Sequence, residues 1–128
     1  VQALYQWHVT GQEVGEILAQ FSEMQSANEA SGEYFETLVR RVVEQAEALD
    51  EALAPFIERS AAQVDPVERS VLRLAAWELK ECPEVPWRVV LDEAVELAHV
   101  FGATHGHSFV NAVLDKAVRA WRPDEIAG

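Results

Sequence analysis

The sequence predicts an all-α fold, a compact seven-helix bundle in two lobes. Three observations carry the expectation. Apolar residues recur at i, i+3, i+4 spacing through most of the chain, no useful length of β-type alternation occurs, and helix start and stop signals fall between the periodic segments. The 128 residues, 49% of them hydrophobic, suit one domain with a sizeable core. An N-terminal lobe is expected over about 1–64 and a C-terminal lobe over about 65–128.

The first helix holds Val1, Leu4, Tyr5 and His8 on one face with Trp7 beside them, and Thr10-Gly11 breaks it. Gln12 to Met24 follows, with Val14, Ile17, Leu18 and Phe21 apolar. Ser26 to Gly32 is small and polar and is expected to be a loop. From Glu33 a longer helix buries Phe35, Leu38, Val39, Val42 and Val43, with Tyr34 beside the stripe and Arg40, Arg41, Glu44 and Glu47 on its wet side. Asp50 is placed to cap a short helix carrying Leu53, Phe56 and Ile57, its start limited by Pro55. Ser60 to Val64 is the candidate seam between lobes.

Asp65-Pro66 is a strong helix start, an N-cap followed by proline at the first helical position. Glu68, three residues on, completes a capping-box pattern. This helix should reach about Glu81, with Val67, Val71, Leu74, Ala75 and Leu79 inward. Arg69, Arg73 and Lys80 would form an outer basic stripe near Trp77. Such stripes are most often solvated or paired with acidic neighbours.

Cys82-Pro83 ends that helix. Pro86 to Lys116 then reads as an amphipathic helical hairpin. Its first arm buries Val90, Ala94, Leu97 and Phe101, flanked by Leu91, Val95 and Ala98, and Gly102 stops it. Its second arm runs from about Ser108 to Trp121, with Val110, Val113, Leu114, Ala117 and Val118 apolar. Neither arm can cover both apolar faces, so the rest of the chain must pack on the hairpin. The tail from Arg122 to Gly128 is expected to fray.

Composition narrows the function. Ten basic residues against 22 acidic give a net charge of −12, which argues against a mainly electrostatic grip on nucleic acid. No run is long enough to span a membrane, and no signal peptide is visible. One cysteine, Cys82, leaves no internal disulfide framework and fits a reducing, cytoplasmic setting.

Catalytic and metal chemistry find little support. His105 and His107 are two apart in a loop, while His8, His99 and Cys82 are scattered without ligand spacing. Neither a metal nor any other cofactor is expected. Asp92, Glu93 and Glu96 fit a solvated acidic helix face. No phosphate loop, nucleophile elbow or HExxH motif occurs, so an enzyme is not expected.

The run Ser108-Phe109-Val110-Asn111-Ala112-Val113-Leu114-Asp115-Lys116 resembles the last-helix signature of NusB-type proteins, small helical factors of antitermination and ribosomal RNA synthesis. The likeness extends through Val85 to Val89, Asp92 to Ala98 and Phe101-Gly102. It takes in Val67 to Arg73 and Trp77 to Leu79, and reappears in Val1 to Trp7. Between about Gln12 and Gln63 only the helical pattern is shared. Family members carry a short Arg-rich segment just before the match to Gln2-Ala3-Leu4-Tyr5. The chain opens on Val1 inside an apolar pattern, so a trimmed start is expected.

The resemblance implies binding of boxA-type single-stranded RNA together with the small-subunit ribosomal protein NusE, within the transcription elongation complex. Gln2 at the head of the match, His105, Ser108 and Phe109 are the implied RNA-binding residues. Periodicity alone makes Phe109 a core residue. The matching Phe of the family is instead associated with RNA contact, and an aromatic in the first turn of a helix can stack a splayed base. Thr104-His105 stands where an acidic pair can occur, and Ser108 where a Lys can occur. Asn111, a poor helix-interior residue, is expected to bond to the neighbouring loop.

Tyr5 and Glu68 match positions at which the family binds NusE. An acidic body would suit docking of a basic ribosomal protein. A second copy of the chain is also admitted as a partner. Two alternatives stand beside this expectation: a protein-only interaction module that keeps the fold and has lost RNA, and the N-terminal domain of an RNA cytosine methyltransferase.

Overall fold

The computed structural model describes residues 2–13, 15–16, 29–57, 64–101 and 106–127. Among these residues there are seven α-helices, one 3-10 turn and no strand. Most of the helix expected over Gln12–Met24 and most of the Ser60–Val64 seam lie outside the described residues.

Helix α1 spans Gln2–Thr10 and stops at Gly11, whose φ of 70° only glycine adopts without strain. The Gly11 amide donates to the Trp7 carbonyl at 3.0 Å. Helix α2 spans Glu29–Glu44 and α3 spans Ala46–Leu53, parted by a turn at Gln45. Residues expected in a loop, Ser31 and Gly32, lie inside α2. Helix-forming neighbours absorb one Gly, which costs about 1 kcal/mol, in a 16-residue helix. A 3-10 turn, Ala54–Phe56, takes up Pro55.

Helix α4, Pro66–Glu81, begins as its sequence dictates: Asp65 Oδ1 accepts from the Val67 amide at 2.7 Å. It is the central helix and packs against α1, α2, α3, α5 and α6. Helices α5, Trp87–Phe101, and α6, Gly106–Trp121, form the hairpin, and α7, Pro123–Ala127, follows. Val90, Ala94 and Ala98 of α5 meet Val110, Val113, Leu114 and Val118 of α6 and Val71, Leu72 and Ala75 of α4 in one core. Leu97 is half-buried at its edge.

Four further expectations need correction. Helix α1 buries Ala3 and Leu4 and half-buries Trp7, whereas Tyr5 is 41% exposed. That helix is short and only weakly two-faced, so its pattern does not fix its rotation. Asp50 is not a cap. It is the fifth residue of α3, and its carboxylate turns to α4.

Arg69 and Arg73 do not form an outer stripe; each is 8% exposed. Neighbouring helices cover the first turns of α4, and Asp50 neutralises part of the two arginines' charge, whereas Lys80 in the last turn is exposed as expected.

The tail does not fray at Arg122. That side chain, on a residue 9% exposed, donates to the carbonyls of Glu78, Leu79, Cys82 and Val85. It ties the last turn of α4 and the connection after it to the end of α6, and Glu125 pairs with it at 3.0 Å.

Candidate functional site

The first turn of α6 is where the expected RNA and partner residues meet. Gly106 is buried, and a Cβ there would stand 2.8 Å from Glu68 Oε1. Only a residue without a side chain lets α6 lie this close to α4 with Glu68 in its present place. Glu68 itself is 3% exposed. Its carboxylate therefore sits in the first turn of α4 and against the first residue of α6, near two positive helix ends. A phosphate approaching α6 from outside would meet a field already partly satisfied by that carboxylate.

His107 lies edge-on to His99 of α5, ring centroids 4.9 Å apart at 89°, which joins the start of α6 to the end of α5. Ser108 is exposed. Phe109 packs against the core cluster yet stays half-buried, so one ring both anchors α6 and keeps accessible area. Asn111 is exposed. His105 and the side chain of Gln2 lie outside the described residues.

Tyr5 and Glu68 lie on α1 and α4, which pack together, but they differ in access. Tyr5 is open to a partner, and Val9, one turn on, is 54% exposed on the same helix. Glu68 lies beneath Gly106, so a direct contact through its carboxylate requires the cover to move.

A second cluster escaped the sequence. Arg73 grips Asp50 with two parallel bonds, Nε to Oδ1 at 2.9 Å and Nη2 to Oδ2 at 2.7 Å. Arg69 Nη1 stands 3.2 Å from Asp50 Oδ1. Burial alone would raise the Asp50 carboxyl, but Arg73 and then Arg69 outweigh it and hold it below its ordinary value. Burial, then Arg73 and Arg69, lower His8, against a smaller opposite pull from Asp50.

A signal for this cluster was present. Val67, Ser70, Val71, Leu72, Leu74, Ala75 and Ala76 surround the axis of α4, the mark of a central helix whose charges must find partners. Among the described residues no group of three His, Cys, Asp or Glu side chains is arranged to hold a metal, and no helix is long and apolar enough to cross a membrane.

The family model described as "NusB family" matches residues 1–119. The chain belongs to the NusB family. A Transcription antitermination protein NusB of Xanthomonas axonopodis pv. citri (strain 306) is 46% identical over 125 residues, covering 98% of this chain and 79% of that protein. Its counterpart from Stenotrophomonas maltophilia (strain K279a) is 45% identical, again covering 98% and 79%. The solved structure of T. maritima NusB superimposes with a TM-score of 0.85 at 25% identity, covering 99% of this chain and 91% of that one. NusB is a family of transcription antitermination factors, not one known for enzymes. The expected all-α NusB-like architecture is therefore the architecture found.

Proposed function

We propose that this protein is a cytoplasmic antitermination factor. It binds boxA-type single-stranded RNA jointly with NusE and so supports ribosomal RNA transcription within the elongation complex. The supporting observation is the first turn of α6, where half-buried Phe109 follows exposed Ser108 inside the residues matched to the NusB family. Binding, not catalysis, is the mechanism. Phe109 offers a stacking face, Ser108 a hydrogen-bonding hydroxyl, and Gln2 and His105 complete the RNA-facing set. Tyr5 is the accessible partner contact, and Glu68 acts on the partner side by fixing the junction of α4 and α6. The net charge of −12 favours a basic partner and steers it in.

A protein-only module is the alternative, and one observation favours it. Arg69, Arg73 and Arg122, three of the ten cations, are buried in internal contacts. The remaining positive charge is thin for RNA. Size-exclusion of the chain with NusE, with boxA-type RNA, and with both separates the two readings and records any homodimer. Co-elution of all three components, tighter than either pair, is the expected result. A chain–NusE complex that leaves RNA behind, also when an Arg-rich leader is added, overturns the RNA role.

A further inference from the structure

We propose that the pocket between α1, α3 and α4 binds a small molecule carrying an oxyanion, a phosphate or a carboxylate group. His8, Asp50, Ala54, Ile57, Val64, Arg69 and Arg73 line a cavity of about 370 Å³. The Arg69 and Arg73 side chains are 10% and 9% exposed, so both guanidiniums are largely out of water.

Two cations share one carboxylate there, which leaves a net positive charge facing the cavity. The donors are unevenly used. Arg73 is committed, with both oxygens of Asp50 gripped and Nη1 3.2 Å from His8 Nδ1. Arg69 meets Asp50 through Nη1, 3.2 Å from Oδ1. Arg69 lines the cavity, and none of its nitrogens is a fully buried atom without a partner.

An ion pair kept only for structure needs one guanidinium for one carboxylate. A second guanidinium beside a single carboxylate leaves a largely buried positive charge only partly compensated, which an anion in the cavity would offset. The planar fork of Arg suits two oxygens of phosphate or carboxylate. Neutral His8, with Nδ1 turned to Arg73, keeps Nε2–H as a further donor. Ala54, Ile57 and Val64 give an apolar wall for the body that carries the anion, and the cavity is far larger than the anion alone. The His8 pKa is lowered first by burial; beyond that, the pull of Arg73 and Arg69 outweighs that of Asp50, so the charges around it are net positive although the whole chain carries −12. None of this depends on RNA or NusE.

The test is a titration of the full chain with inorganic phosphate, with acetate and with chloride at matched ionic strength. It follows the Arg69 Nε–H resonance and the backbone amides of His8, Ala54 and Ile57. Saturable shifts confined to these groups, with phosphate or acetate but not chloride, are expected, and the stronger of the two names the group preferred. Arg69→Gln should weaken the response roughly tenfold or more, and Arg69→Lys should restore part of it. Shifts no larger than those with chloride, or a folded Arg69→Gln that titrates like the parent, overturn the proposal. If Arg69→Gln does not fold, the comparison of the three anions on the parent still decides.

Discussion

The Glu68 carboxylate lies against Gly106, so near that a Cβ there would stand 2.8 Å from Oε1. This contact joins the first turns of α4 and α6, and under the proposed function it would couple the partner side to the RNA side. Gly106→Ala must push Glu68 aside within a closed space. A loss of ~1–3 kcal/mol in chemical denaturation is expected. Gly11→Ala is a useful contrast, because nothing lies within 4 Å and only its φ of 70° resists, at roughly 1–2 kcal/mol. Gly106→Ala, unlike Gly11→Ala, should also alter NusE binding.

The hairpin core gives a graded expectation. Leu114 is fully buried, and Leu114→Ala should cost ~2–5 kcal/mol. Half-buried Leu97 leaves a smaller cavity open to solvent, so Leu97→Ala should cost less, about 1–2 kcal/mol. Urea denaturation of both variants checks the order, and a larger loss at Leu97 would mean the buried face of α5 is misassigned.

Arg122→Ala removes one fork that serves four carbonyls and the Glu125 carboxylate. A loss on the order of 2–4 kcal/mol is expected. Arg122→Lys should recover only part, since a point charge cannot reproduce the fork. Thermal melts of the two variants against the parent are the measurement.

Acid should weaken the fold through Asp50. Its folded pKa lies below the ordinary 3.8, so its contribution is present above that value and lost as pH falls through the lower folded pKa. Asp50→Asn should abolish this part of the acid transition and cost roughly 2–4 kcal/mol at neutral pH, by leaving two buried guanidiniums unpaired.

Glu78 works in the opposite sense. Burial first, then Glu93, raise its pKa above 4.5, so its contribution is present below that value and lost as pH rises through the folded pKa. Glu78→Gln should therefore raise the melting temperature at pH 7 and change it little in acid.

The parts of the fold that are local in sequence were readable in advance. Asp65-Pro66 fixed the start of α4, Gly11 the end of α1, and 3.6-residue periodicity the buried stripe of α6, while on α5 it marked Val90 and Ala94 but put Leu97 where Ala98 is buried. What stayed hidden depends on distant pairs. Arg73 finds Asp50 across 23 residues, and Arg122 finds Cys82 across 40. Neither pairing leaves a periodic trace, so a buried arginine reads as a wet one and an anchored end reads as a frayed one. Of the expected site, Ser108 and Tyr5 stand exposed as an interface needs, Phe109 is half so, and Glu68 is covered. Its acidic position in a first turn looked like a surface cap because the sequence gives no notice that α6 closes over it.

The most direct test of joint RNA binding is titration of labelled boxA-type RNA with the chain, NusE and an added Arg-rich leader at several salt concentrations, beside a melting curve for each protein. The chain alone should bind weakly. The leader should steepen the salt dependence by a slope of roughly −0.7 per added phosphate contact. Phe109→Ala should then lower affinity by ~1–3 kcal/mol with little change in that slope and with its helices intact. A folded Phe109→Ala that binds RNA as tightly as the parent contradicts the account and leaves the protein-only module in its place.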